Sequence, residues 1–118
     1  MSAPGHAADP VPRRETLGDG SVRIHFGSRA IPLADGTPRD YATLRPPRIG
    51  ELIDHPDPVR WMFADGVATK DIDRAALRGW MARLLTDHDL DIIGAVSAPA
   101  IGLEMIEAVA DFFPKART

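Results

Sequence analysis

A run of prolines near the middle of the sequence is the feature that most restricts the fold of this chain. Pro46 and Pro47 cannot donate the hydrogen bonds of a central strand, and Pro56 and Pro58 interrupt a helix. Regular structure must therefore lie on either side of residues 46–58 or be short within it. The residues before this stretch have the pattern of strands, whereas those after it have the pattern of helices.

Residues 21–45 carry the pattern of short antiparallel strands. Val22, Ile24 and Phe26 alternate with polar residues, which is the period of two of a half-buried strand. Two turn signals follow, so the chain can reverse direction twice. We predict a β-hairpin or three-stranded antiparallel sheet over this segment. Pro32 in the middle part puts its strand at an edge.

The C-terminal half predicts three helices, at about residues 48–54, 71–86 and 98–113. The second is the strongest, because its apolar residues form a stripe about 100° wide. Asp71 and Ser97 are the predicted N-caps of the second and third helices. Strands followed by helices are typical of the α+β class, which is the fold class that we predict.

Length and composition favour a single folded domain after a flexible N-terminal arm. The chain has 118 residues, which is the size of one domain. Residues 1–20 combine proline and glycine with few apolar side chains, so we predict a flexible arm there. We predict that residues 21–118 form one small α+β domain.

The charge and the absence of cysteine exclude several functions. The formal net charge is −3, so the chain lacks the basic field that binds nucleic acid or anionic lipid, and we expect neither partner. Without cysteine it has no disulfide and no thiolate chemistry. We find neither a long apolar run nor a cationic leader segment, and therefore predict a cytoplasmic protein.

The sequence contains no recognisable catalytic or cofactor-binding motif. It lacks both the glycine-rich phosphate loops and the Gly-x-Ser-x-Gly nucleophile elbow. Asp87, His88, Asp89 and Asp91 could hold a cation, but their spacing is that of an acidic turn and matches no metal-binding loop. We predict a non-catalytic protein with no cofactor and no metal. A metal-dependent hydrolase that uses residues 87–89 is the less favoured hypothesis.

Clustered aromatic and methionine side chains indicate a surface for another protein. Trp61, Met62 and Phe63 are consecutive, and such residues are common both in cores and in protein interfaces. Phe112 and Phe113 lie about 100° apart on the last predicted helix, so one ring can face inward while the other projects. We predict that these side chains contact a partner, with burial in the core as the alternative.

Two arginines flank the first proline pair. Arg45 and Arg48 could bind a carboxylate of a partner through their guanidinium groups. Arginines beside a rigid connector also form salt bridges within their own chain, which is the alternative. We include both residues in the predicted partner-binding set.

Two short stretches resemble a known family. Residues 41–52 read Tyr-Ala-Thr-Leu-Arg-Pro-Pro-Arg-Ile-Gly-Glu-Leu. This stretch resembles the strand-to-helix passage, with the pattern Leu-Arg-x-Pro-x-x-Gly-Asp/Glu-Leu, of small tail assembly chaperones from long-tailed bacteriophages. Residues 108–113, Ala-Val-Ala-Asp-Phe-Phe, resemble the Val-x-x-Phe-Phe ending of the same proteins. The resemblance covers about residues 21–114.

The resemblance implies a non-catalytic phage tail assembly chaperone. Such a protein binds and shields the long, apolar, helical tape measure protein in the host cytoplasm, and it self-associates transiently into a homo-oligomer. The family has no catalytic residue and no cofactor. The alternative is a structural or adaptor subunit of a larger virion or other protein assembly.

Overall fold

The computed structural model describes residues 11–27 and 29–113, so residues 1–10 and 114–118 of the predicted arm and domain lie outside the described residues. The strands are β1 (Arg13–Thr16), β2 (Val22–His25), β3 (Ile31–Pro32), β4 (Pro38–Arg39), β5 (Tyr41–Leu44), β6 (Val59–Ala64) and β7 (Val67–Ile72). The helices are α1 (Ile49–Asp54), α2 (Arg74–Leu84), α3 (Leu90–Gly94) and α4 (Pro99–Asp111). Antiparallel strands in the N-terminal half and helices in the C-terminal region confirm the predicted α+β class.

A three-stranded antiparallel sheet in the order β1-β2-β5 carries one side of the core. In the register of β2 with β5, Ile24 lies opposite Ala42 and Val22 lies opposite Leu44. These four side chains are buried on one face, while the residues between them are half-buried. β3 pairs with β4 in a separate two-stranded ribbon, so the third strand of the main sheet comes from β1 instead.

The predicted flexible arm over residues 1–20 is wrong for its C-terminal part, because residues 13–16 form β1. This strand pairs with β2 along its whole length. Arg14 forms ion pairs with Glu104 and Asp111 of α4, with 2.8 Å between Arg14 Nε and Glu104 Oε1. Backbone pairing and charge pairing therefore hold a strand that has no apolar pattern in the sequence.

Residues 59–72 form a β-hairpin that the sequence analysis did not predict, and we call it the hairpin arm. β6 and β7 pair from Val59 opposite Ile72 to the strand ends beside a two-residue turn. The turn residues Asp65 and Gly66 have φ angles of 54° and 75°. Positive φ at both positions is the type I′ conformation, which favours Asp-Gly in a tight hairpin.

α2 begins later than the predicted helix over 71–86, because the hairpin arm includes Asp71. The predicted cap Asp71 is therefore wrong. Asp73 is the N-cap, and its carboxylate accepts a hydrogen bond from the Ala76 backbone N–H at 3.1 Å. The helix ends at Leu84, and residues 84–86 then hydrogen-bond to the free edge of β5.

The last two helices are joined by a short loop. α3 was not predicted, and Asp89 caps its N-terminus. α4 starts after Ala98, where no side chain caps it, so the predicted cap Ser97 is also wrong. Within residues 11–27 and 29–113, no helix combines the length and apolar character needed to cross a lipid bilayer.

The core lies between the main sheet and the pair α2 and α4. Trp80 of α2 is fully buried, and its indole N–H donates to the Pro56 carbonyl oxygen at 2.7 Å. Its ring lies edge-on to Phe113, with 5.0 Å between the ring centroids. The other large, fully buried side chains are Phe26, Ile24, Ile31, Leu44, Leu84, Val109 and Pro58.

We expect Trp80→Phe to lower the free energy of unfolding by about 1–3 kcal/mol, because it removes both buried volume and the hydrogen bond to Pro56. Urea unfolding followed by far-UV circular dichroism measures this change. Trp61→Phe is the matched control, because Trp61 is only half-buried and the loss there should be smaller. An equal decrease in the free energy of unfolding for the two variants would contradict the conclusion that Trp80 contributes more to stability than Trp61.

Candidate functional site

An open apolar groove of about 380 Å³ lies between β3, α2, α3 and α4, and we call it the α3–α4 groove. Its volume falls at the lower end of the range of about 300–1,000 Å³ for ligand sites in proteins. Its walls are built partly from core side chains whose other atoms pack inward. The buried residues that line it are Ile31, Met81, Ile93, Ile101 and Met105, and more exposed apolar residues at its edge include Leu90, Val96 and Ile106.

Two glycines help to keep this groove open. Gly94 ends α3 and Gly102 lies in the first half of α4, and both line the groove. In the described part of the chain, and apart from the backbone of the same helix and the adjacent residues, no atom lies within 4 Å of the position that a Cβ atom would occupy at either glycine. Larger side chains at these positions would therefore extend into open space and narrow the groove.

The residues that line the groove determine what it can do chemically. Among the described residues that line it, none is charged, and Ser97 is the one with a polar side chain. The groove therefore offers no acid, base or nucleophile pair, but it can remove apolar groups from water. Met81 and Met105 contribute flexible thioether side chains, which adapt to differently shaped apolar partners.

The hairpin arm provides a second exposed apolar surface. Met62 is 54% exposed and Val67 is 59% exposed, while Phe63 next to Met62 is half exposed. Adjacent strand residues point to opposite faces of a ribbon, so both faces of the outer part of the arm are accessible to solvent. Trp61 is half-buried and packs against the core at the base of the arm. The predicted contact of these residues with a partner stays a prediction.

The two phenylalanines at the end of α4 are in different environments. Phe113 is 7% exposed and packs on Trp80, so it belongs to the core. Its inclusion in the partner-binding set is corrected, because an enclosed ring has no free surface for another protein. Phe112 is partly buried against the core and leaves some surface accessible.

Arg45 makes an internal ion pair. Its guanidinium donates two hydrogen bonds to Glu51, at 2.8 and 2.7 Å, and so joins the end of β5 to α1. The Arg48 backbone N–H donates to the same carboxylate at 3.0 Å. These contacts lower the pKa of Glu51 from 4.5 to about 2, with the Arg45 hydrogen bonds as the largest cause. Arg45 thus forms the internal salt bridge that was the alternative, and the predicted contact of Arg45 and of the exposed Arg48 with a partner stays a prediction.

The acidic turn at residues 87–91 does not gather its side chains around one point. Asp87 pairs with Arg39 at 2.8 Å, and Asp89 accepts a hydrogen bond from the Asp91 backbone N–H. His88 is buried, and its Nε2 lies 3.0 Å from the Ile31 carbonyl oxygen, to which it donates. Among the described residues no group of three such side chains could hold a metal ion, so the metal-dependent hydrolase gains no support.

Comparisons of the chain with protein families, with characterised proteins and with solved structures gave no match.

We expect Glu51→Gln to lower the free energy of unfolding at neutral pH and to have little effect near pH 2. The pKa of this carboxyl is lower in the folded state than in the unfolded chain, so its contribution is present above about pH 4.5. That contribution is lost as the pH falls toward 2, where the carboxyl becomes protonated in both states. Urea unfolding across this pH range tests the expectation.

Glu107→Gln is the control, because Glu107 is exposed and the described residues show no ion pair for it. This variant should follow the wild-type pH curve throughout. A Glu51→Gln curve parallel to the wild-type curve would show that the pair with Arg45 does not contribute to stability.

Proposed function

We propose that this chain is a non-catalytic binding protein that shields an apolar helix of another protein in the α3–α4 groove. The observation that carries the proposal is the groove itself, which is open and apolar, and the described residues that line it include no charged side chain. The resemblance to phage tail assembly chaperones supplies the partner, the tape measure protein, and the place of action, the host cytoplasm.

The dimensions of the groove suit a helix. Its lining residues on α4 run from Pro99 to Ile106, which corresponds to roughly 10 Å along the helix axis, or about two turns. A partner helix lying along it would insert apolar side chains spaced three and four residues apart, as in other helix-in-groove complexes.

The expected affinity is modest, which agrees with a shielding role. Each large aliphatic side chain that enters such a groove contributes about 1.5–3 kcal/mol of burial, and association itself costs several kcal/mol. A few anchors therefore give weak, reversible binding. A chaperone must release its partner when the final assembly forms. Weak binding of several chaperone molecules along one partner chain allows both the shielding and the release.

The exposed part of the hairpin arm supports a supplementary role in association. Met62 and Val67 offer apolar surface close to a tight turn, and Ile49 and Ile53 of α1 are each 78% exposed. These surfaces suit contacts with the same partner or transient self-association into a homo-oligomer. We therefore propose that Trp61, Met62 and Phe63 contribute to contact with the partner or to self-association.

The same arm favours a second candidate function, that of a structural or adaptor subunit retained in a larger assembly. A hairpin whose outer part is exposed on both faces can be fixed by a neighbouring subunit. Mass spectrometry of finished particles distinguishes the two functions, because a chaperone is lost from the particle and a structural subunit remains.

The first function is tested by co-expression with a tape measure protein. We expect the wild-type chain to raise the soluble fraction of the tape measure protein and to elute with it in size-exclusion chromatography. Gly102→Leu should abolish both effects, because the leucine narrows the groove. Replacing a helical glycine improves helix propensity by up to about 1 kcal/mol, so this variant should stay folded.

Glu107→Leu is the matched control, because it adds a leucine at an exposed position of the same helix that does not line the groove. This variant should act like the wild type. No gain in solubility with the wild-type chain would overturn the function, and full activity of Gly102→Leu would exclude the groove as the binding site.

A further inference from the structure

Arg29 lies beside one end of the α3–α4 groove. A smaller cleft of about 40 Å³ is lined by Arg29 and Phe26 together with residues 97–101 at the start of α4. Ser97, Pro99 and their neighbours line the groove as well, so the two cavities adjoin at this end. A ligand that fills the groove along α4 thus ends close to the Arg29 side chain.

The charge of Arg29 is not balanced within the described part of the chain. No ion pair is found for Arg29 among residues 11–27 and 29–113, as is also the case for Arg13, Arg60 and Arg74, so its place beside the groove is what distinguishes Arg29. Among the described residues that line the groove and the adjoining cleft, Arg29 is the one that carries a charge. The combined site is therefore apolar along its length and positive at one end.

We propose that the groove binds a helical segment of a partner protein that carries a carboxylate just beyond one end of its apolar face. This inference rests on the proposed function and names the chemistry of the occupant. The planar guanidinium group of Arg29 can accept such a carboxylate in a two-point contact. The apolar side chains supply most of the affinity, and Arg29 determines which end of the segment lies at the start of α4.

The gain in affinity that a carboxylate obtains from Arg29 depends on how far this side chain is exposed to solvent. Arg29 is half-buried, so its pairing with a carboxylate is partly screened by water and salt. We expect roughly a fivefold gain in affinity from the carboxylate at low salt, and a smaller gain at high salt.

The test uses three fluorescently labelled synthetic peptides and the full chain. Each peptide forms a helix of roughly four turns with leucines spaced three and four residues apart on one face. One turn beyond the last leucine the peptides carry glutamate, glutamine or lysine. Fluorescence anisotropy gives the dissociation constants for the wild type, Arg29→Gln, Arg29→Glu and Gly102→Leu.

We expect the wild type to bind the glutamate peptide about fivefold more tightly than the glutamine peptide. Arg29→Gln should bind these two peptides equally, and Arg29→Glu should prefer the lysine peptide, which is a reversal that a merely structural role would not produce. Arg74→Gln is the control, since Arg74 is exposed and lines neither cavity, and it should keep the wild-type preference.

Several results would overturn the proposal. Equal binding of all three peptides by the wild type, blocked by Gly102→Leu, removes the role of Arg29 but leaves the proposed function in place. If the wild type binds none of the three peptides, both the role of Arg29 and the proposed function are refuted. Displacement of the peptides by a medium-chain fatty acid, or dimerisation of the chain that Gly102→Leu abolishes, would assign the groove to a different occupant.

Discussion

The packing of Trp80 is the interaction on which the rest of the structure depends. Its indole ring is fully buried and contacts Phe113, which follows α4 directly. Its N–H donates a hydrogen bond to the carbonyl oxygen of Pro56, in the segment that precedes the hairpin arm in sequence. One side chain thus holds together α2, α4 and the connection from α1. Met81 follows Trp80 on α2 and lines the α3–α4 groove. The position of the groove is therefore set by the same helix that carries the centre of the core.

Patterns of apolar residues predicted the elements whose stability comes from the core. The alternation around Ile24 and the helical stripe of α2 both correspond to observed buried faces. β1 could not be found in this way, because Arg14 is held by carboxylates some 90 residues away in sequence. The hairpin arm had a sequence signal in Asp65-Gly66, a dipeptide that favours a tight hairpin turn. The strand before it was not predicted, because Trp61, Met62 and Phe63 are consecutive large apolar residues and do not show the alternation of a half-buried strand.

The candidate site was less predictable than the fold. Residues such as Ile93 and Met105 have the sequence pattern of a core face, and the sequence does not show that part of this face lacks a covering element. Gly102 was the available signal, because a glycine inside a helix is unfavourable by about 1 kcal/mol relative to alanine and suggests a local reason for its presence. The aromatic residues gave a mixed result, since Phe113 lies in the core whereas Met62 is exposed on the arm.

The four methionines allow a direct test of whether the groove is the binding surface. Met81 and Met105 line the groove, Met62 lies on the hairpin arm and Met1 is the first residue of the chain. Methyl NMR spectra of the full chain with ¹³C-labelled methionine can be recorded during titration with an amphipathic helical peptide. We expect the Met81 and Met105 signals to shift, because both side chains line the groove that the peptide fills. A response confined to Met62, or no response of any methyl group, would contradict this expectation.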